Sequence, residues 1–387
     1  MTTPRSLRTL LLTTTAGGCL FALGCSTYQT FDSAGFLRTE VAKRVSAEET
    51  SRFEVPFDLS PEITEVLSAD YKPGPNELRR VDQVQDFIFR RVKLRYSLTP
   101  TRNAVDTFRA HEGNCLSFVN LFVGVARHQR LNPFYVEVTD YQRWNYRAGL
   151  VVSRGHIVAG MYVKGKLQTY DFLPYRAKAY KDFKPIDDLT AAAHYYNNLG
   201  AEALLDGNNQ QALSYLELAR KVAPKFVKSV NNLGVAFARS GDLERALATY
   251  QEGLAIDPAD VALLTNLARV YQDLGRLDEA AATLSKVENA NNSNPFFFVY
   301  QAEIALARSD FDGALKYLRE ALRLDSELPE VHVTLVQLYL AMGDLEKARH
   351  HLDRALKLDA TNPEARKLLL LLGTAEDQEG ERSSLDG

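Results

Sequence analysis

Gly113-Asn114-Cys115-Leu116-Ser117-Phe118-Val119-Asn120-Leu121-Phe122-Val123-Gly124-Val125-Ala126 is the stretch whose reading decides the fold. After Cys115, apolar residues fill nearly every position to Ala126, with no polar stripe on any side. A helix that is apolar all round is a buried central helix. Gly113 is expected to let the chain turn sharply, and Asn114 to cap the helix. Cys115 then falls in the first turn. There the N–H groups without intrahelical partners and the positive end of the helix dipole favour an anion, and so thiolate over thiol. Taken alone, such a cysteine reads most simply as a small buried hydrophobe; its context changes that reading.

Part of the context is the N-terminus. Arg5 and Arg8 form a basic region, and an apolar run follows from Leu10 to Gly24, diluted by Thr13, Thr14 and Thr15. It ends Ala22-Leu23-Gly24-Cys25, which resembles the bacterial lipobox, with Ala22 in place of the usual Leu. The resemblance implies cleavage before Cys25 and lipidation of that cysteine, and Ser26 after it implies the outer membrane. Two acyl chains on one residue satisfy the requirement for more than one anchoring signal. The alternative is a membrane-spanning anchor, for which the run is short and rich in Gly and Thr. Cys19 would leave with residues 1–24, and Cys25 would be blocked. Of the three cysteines, Cys115 would then be the single free thiol in an oxidising compartment, unable to form an internal disulfide.

The 387 residues allow two or three domains, and their composition is that of a soluble globular protein. Net charge is −3, falling to about −5 once Arg5 and Arg8 are removed, which gives no footing for nucleic acid. Residues 25–59 read as a polar tether with one possible helix. Ser60-Pro61-Glu62 opens a helix, and Lys72-Pro73-Gly74-Pro75 breaks the chain. Asn76 starts another helix, with Leu78, Val81, Val84, Ile88 and Val92 at helical spacing and its arginines on the solvated side. A short helix near Ala104–Ala110 leads to the cysteine turn.

After Arg130 the period changes. Phe134, Val136 and Val138 alternate with Tyr135, Glu137 and Thr139, as in a strand. Asp140–Gly155 reads as a loop carrying Tyr141, Trp144 and Tyr146, either a substrate lip or packing. His156–Val163 and Lys166–Phe172 are two further strands joined at Lys164-Gly165. A two-residue hairpin there pairs Val163 with Lys166, Val158 with Asp171 and His156 with Leu173. His156 and Asp171 then share one face as diagonal neighbours.

A Gly-x-Cys turn opening a buried helix, then strands with His starting the second and Asp on the third, resembles the transglutaminase-like superfamily, relatives of papain-type cysteine proteases. The resemblance covers residues 76–174. It implies an α+β papain-like domain over residues 60–190 and a catalytic triad of Cys115, His156 and Asp171. A free thiol with a pKa of about 8.5 is only a few per cent thiolate at neutral pH, so it needs a base. His156 would take the proton and return it to a leaving amine; Asp171 would orient the imidazole. The Cys115 N–H would supply one oxyanion donor. The family's second donor is an upstream side chain, with Tyr96, Gln83 and Gln85 as candidates here. His111 is a rival base with no acid placed to orient it. The scheme calls for no metal and no cofactor.

From Ala193 the sequence repeats every 34 residues. Gly200, Gly234, Ala268, Ala302 and Val336 form one column, and Ala212, Ala246, Ala280, Ala314 and Ala348 another. Leu216, Tyr250, Leu284, Leu318 and Leu352 form a third; Ala219, Gly253, Val287, Ala321 and Ala355 a fourth. The pattern is similar to the tetratricopeptide repeat, which implies an all-α solenoid of five helix pairs over 193–362. Residues 363–372 would cap it, and 373–387 would be a disordered acidic tail. Pro295, after Asn291-Asn292-Ser293-Asn294, comes late for its repeat. Such arrays hold a protein or peptide partner in a concave groove. Two functions follow as expectations. One is a lipid-anchored envelope enzyme acting on protein or peptide amides through an acyl-thioester, with water or an amine as acceptor. The other is a non-catalytic scaffold lipoprotein.

Overall fold

The computed structural model describes residues 32–147, 150–172, 182–286 and 294–372. The signal segment 1–24, Cys25 and the tail 373–387 lie outside these residues. The first elements are α1 (Ser33–Ala42) and α2 (Ala47–Arg52). At the start of α2, Glu49 N–H donates to Ser46 Oγ at 3.2 Å while Ser46 N–H donates back to the Glu49 carboxylate at 2.9 Å. These residues are not the expected tether. Leu37 and Val41, one helical turn apart, are buried, and Phe53, Val55 and Phe57 follow them into the same core. Each such burial contributes roughly 1.5–3 kcal/mol, which no solvated tether would gain. The polar residues between them are the outer side of packed helices.

Pro61 occupies the first position of α3 (Pro61–Asp70). α4 (Glu77–Asp86) is capped by Asn76, which accepts from Arg79 N–H at 2.9 Å. A π-helical turn, Phe87–Val92, continues it and buries Phe87, Ile88 and Val92. β1 (Arg95–Tyr96) pairs in parallel with β2 (Glu112–Gly113), with α5 (Ala104–Ala110) between them in the chain. α6 (Cys115–His128) follows at once, and every residue from Leu116 to Ala126 is buried. Asn114 caps it by accepting from Ser117 N–H at 3.0 Å. Gly113 serves a purpose other than the expected turn. The left-handed residue is His111, at φ 53°. Gly113 is required for close approach, because a Cβ there would lie 2.5 Å from Ser117 Cβ.

The sheet has the order β5-β4-β3-β6, all antiparallel, from β3 (Phe134–Arg147), β4 (Leu150–Val163), β5 (Lys166–Tyr170) and β6 (Phe183–Ile186). Lys164 and Gly165 form the two-residue turn with φ of 50° and 75°, the doubly positive geometry that matches strand twist. The register runs from Val163↔Lys166 to Ala159↔Tyr170 as expected and stops there, so Asp171 lies just past the ladder. Leu173 is outside the described residues. Asp140–Gly155 is not a loop. β3 and β4 run through it as a long hairpin, after a register shift between Val138 and Arg143. That shift breaks the alternation by which a strand is read. The side chains of Tyr141, Trp144 and Tyr146 are outside what the structure describes.

The remainder is helical. The pairs are α7 (Asp188–Leu205) with α8 (Asn209–Val222), α9 (Val227–Arg239) with α10 (Leu243–Ile256), and α11 (Val261–Asp273) with α12 (Leu277–Ser285). Then come α13 (Pro295–Ala307) with α14 (Phe311–Leu324), α15 (Pro329–Ala341) with α16 (Leu345–Leu358), and a last helix over 363–372. The small-residue columns sit at the helix crossings: a Cβ on Gly200 would lie 2.5 Å from Leu216, and one on Gly234 2.5 Å from Tyr250. Val287 lies outside the described residues. Each turn within a pair is built alike. Gly241 N–H donates to Ala238 O at 3.0 Å and Asp242 N–H to Phe237 O at 3.0 Å, the two bonds of a Schellman ending. Asp242 then caps α10 through Arg245 N–H. Gly207, Gly275 and Gly343 repeat the left-handed ending at φ of 74–77°, and Ser309 takes the same position at φ 60°; only after Gly275 is the N-cap, Arg276, without a side-chain cap bond. Pro295 is not a late terminator: it is the first residue of α13, capped by Asn294, where a missing N–H costs nothing.

No gap separates the two parts at residue 190. α7 packs Ala191, Ala192, Ala193, Tyr195 and Tyr196 into the core that surrounds α6. It is also clipped to both ends of α6. Arg127 makes a bidentate pair with Asp188 at 2.8 Å, and the Glu202 carboxylate holds Thr101, which in turn binds Asn114.

Candidate functional site

Cys115 occupies the first turn of α6 and is partly exposed. The loop before it is pinned: Ser97 N–H donates to Gly113 O at 2.9 Å, and Arg102 N–H to Ser117 Oγ at 2.8 Å. α6 packs against β4, which carries His156. His156 is 1% exposed, and its Nε2 lies 2.8 Å from Asp171 Oδ1. Hydrogen bonding and charge from Cys115 act on the same imidazole. Burial by itself would lower the pKa of His156. Hydrogen bonds and charge from Asp171 and Cys115 outweigh it and carry the value up to about 9. Of the three residues singled out in the sequence, His156 and Asp171 are in contact, and Cys115 acts on the same imidazole.

Simple alternation would separate them. Ile157, Ala159 and Met161 belong to the core around α6, whereas Val158 packs with Val136 and Val138 in a separate small cluster. His156 shares the parity of Val158. Its pair with Val138 is the last before the register shift, and such irregularities re-aim side chains beside sites.

The rival residues go elsewhere. The His111 ring bonds the Val92 carbonyl. Gln83 accepts from Gly74 N–H at 3.0 Å and donates to Lys72 O at 2.7 Å. Gln85 lines a polar cleft of about 700 Å³ with Tyr71, Asp82, Asp86 and Arg90. Tyr96 is opposite Gly113 in the β1–β2 ladder, two residues before the cysteine, and its ring meets Phe118 edge-on at 6.2 Å. Behind Asp171, the Phe172 ring packs on Phe89, Phe118 and Phe122 at 5.7–5.8 Å, an apolar wall that fixes the chain leaving β5. Among the described residues no cluster of three or more His, Cys, Asp or Glu forms a metal site.

The first helices of the repeats carry a second set of polar residues. Asn232 Nδ2 donates to Asn197 Oδ1 and Asn266 Nδ2 to Asn231 Oδ1, both at 2.9 Å, so that amides one repeat apart are stitched together. Lys228 of α9 pairs with Glu137 of β3, which ties the second repeat to the sheet. The sequence-based reading missed both sets; Asn197/Asn231 and Asn198/Asn232/Asn266 recur at 34 residues, and each bond joins one column to the other, 35 positions apart.

No helix among the described residues is long and apolar enough to cross a membrane. No curated protein matches the chain. Tetratricopeptide-repeat families match residues 197–261, 237–295 and 305–372. Among solved structures the chain is similar to a thermophilic TPR protein of Thermus thermophilus, with 22% identity over 47% of this chain and 98% of that one, TM-score 0.42. It is also similar to PilF of Pseudomonas aeruginosa, at 22% identity over 51% of this chain and 90% of that one, TM-score 0.43. A third is PilW, a widely conserved type IV pilus biogenesis factor, at 17% identity over 50% and 91%, TM-score 0.42. The C-terminal part of the chain is a tetratricopeptide-repeat solenoid, an architecture that binds proteins.

Proposed function

We propose that the repeats hold a protein partner and that the α/β part is a transglutaminase-like cysteine site acting on a protein or peptide amide. The observation that carries the catalytic half is the 2.8 Å contact of His156 Nε2 with Asp171 on an imidazole that also meets Cys115. With Nε2 committed to Asp171, Nδ1 is the nitrogen that trades a proton with sulfur. The thiolate adds to the amide carbonyl. The oxyanion is held by the Cys115 N–H and, in this proposal, by the Tyr96 hydroxyl. Imidazolium gives its proton to the departing amine, leaving an acyl-thioester. Water or an amine then adds, His156 takes its proton, and the thiolate leaves. The site uses no cofactor and no metal. We place the protein at the bacterial envelope, held by lipid on Cys25 and most simply in the outer membrane.

A scaffold without catalysis is the second reading, and it is favoured by the family matches falling on the repeats alone. A peptide bearing a thiol-reactive electrophile separates the two. The enzyme reading expects one equivalent of label on Cys115, lost in His156→Ala; an unlabelled chain supports the scaffold. For the anchor, Cys25→Ser is expected to release the protein from membranes, and unchanged fractionation would defeat the assignment.

A further inference from the structure

We infer that Glu202, on the first repeat helix, is a positioning residue for the cysteine end of α6. The inference deepens the proposed catalytic reading and rests on it for its consequence, though not for its geometry. Thr101 N–H donates to the two Glu202 carboxylate oxygens at 2.8 and 3.0 Å, and the Thr101 hydroxyl donates to Oε1 at 2.8 Å. That hydroxyl accepts from Asn114 Nδ2 at 2.7 Å. The amide of Asn114 is thereby oriented with Oδ1 toward α6, where it accepts from both Ser117 N–H and Ser117 Oγ–H at 3.0 Å. The three linking residues Thr101, Asn114 and Ser117 are 4%, 7% and 0% exposed, so the chain of bonds is shielded from water while Glu202 is in place. From Asn114 to Thr101 the donors point toward the carboxylate. A charged acceptor at the end of such a chain strengthens every bond in it.

The arrangement ties the residue immediately before Cys115 to a repeat 88 positions away along the chain. Without Glu202, the Thr101 hydroxyl loses its acceptor and is free to rotate. The hydroxyl proton can then turn toward Asn114 and compete with the Asn114 Nδ2–H bond that orients the amide, and the N-cap that sets the first turn loosens. A sulfur displaced by even 1 Å from an imidazole is a poorer partner for it.

The test compares Glu202→Ala, Glu202→Gln and Asp188→Asn in the full chain. Iodoacetamide modification of Cys115 is followed by mass spectrometry from pH 5.5 to 9, and hydrogen exchange is followed at the Ser117 amide. Glu202→Ala is expected to slow modification at neutral pH about tenfold, to move its pH profile toward that of an ordinary thiol, and to deprotect Ser117. Glu202→Gln keeps an acceptor and stays within about threefold of wild type. Asp188→Asn weakens the opposite α6–α7 clip, so it lowers stability and leaves the profile unchanged. If Glu202→Ala does not fold, Thr101→Val cuts the same chain from the other side and is read identically. A wild-type profile and a protected Ser117 amide in the Glu202 or Thr101 variant would overturn the inference. A wild-type Cys115 that reacts as an ordinary thiol would defeat the catalytic reading instead, and Ser117 exchange would still decide the positioning.

Discussion

Ser309 holds, in the fourth repeat, the left-handed position that glycine holds in the other four. A side chain at such a φ costs roughly 1–2 kcal/mol per residue, and glycine's greater freedom in the unfolded chain returns about 0.4–1 kcal/mol of that when glycine is introduced. Ser309→Gly is therefore expected to stabilise the array by about 0.5–1 kcal/mol, or ~1–4 °C in Tm for a unit of this size. Gly241→Ala is expected to cost a similar amount. No atom lies within 4 Å of the added Cβ, so no steric clash adds to the backbone strain. Urea unfolding followed by circular dichroism at 222 nm gives both signs. Hydrogen exchange locates the change to the α13–α14 and α9–α10 turns, because repeat arrays lose and gain stability locally. A destabilised Ser309→Gly together with a neutral Gly241→Ala would refute the claim that these turns are set by φ.

Asp171→Asn removes the charge that helps raise His156. Its titration, followed by NMR, should fall by a unit or more from about 9, and an unmoved midpoint would show that the contact has no electrostatic weight. Arg127→Met strips the bidentate pair with Asp188 and the cation–π contact on Phe57, and should cost roughly 2–4 kcal/mol in chemical unfolding. Stability should also bend with pH at two ends. His351 is pulled down to about 4 by burial and by His332 and His350. The unfolded chain then takes up the proton first, and stability is lost as pH falls from 6.5 toward 4. His351→Gln should flatten that limb. His156 is raised, so its contribution is complete below pH 6.5 and fades as pH rises through about 9.

The repeats were legible because their small residues recur at a fixed period for a steric reason, the close crossing of paired helices. α6 was legible because only Ser117 and Asn120 interrupt its apolar run. The two-residue turn at Lys164-Gly165 fixed the register far enough to place His156 near Asp171. Three features were not readable. α1 buries only Leu37 and Val41 within a polar stretch, too few to show a face. The β3–β4 hairpin breaks its alternation at the Val138–Arg143 shift, directly after the pair of Val138 with His156. The role of α7 in both parts was hidden because its contacts with Thr101 and Arg127 join residues far apart in the chain. Gln83 and Gln85 were plausible donors until their partners and surroundings were known.

The central claim is that Cys115 shares a proton with His156. Its most direct measurement is the iodoacetamide modification rate of Cys115 against pH, in wild type and in His156→Ala. A thiolate–imidazolium pair gives a wild-type rate nearly level from pH 6 to 8, while the variant climbs about tenfold per unit as an unassisted thiol of pKa about 8.5 does. Two superimposed profiles, both climbing, would contradict the account.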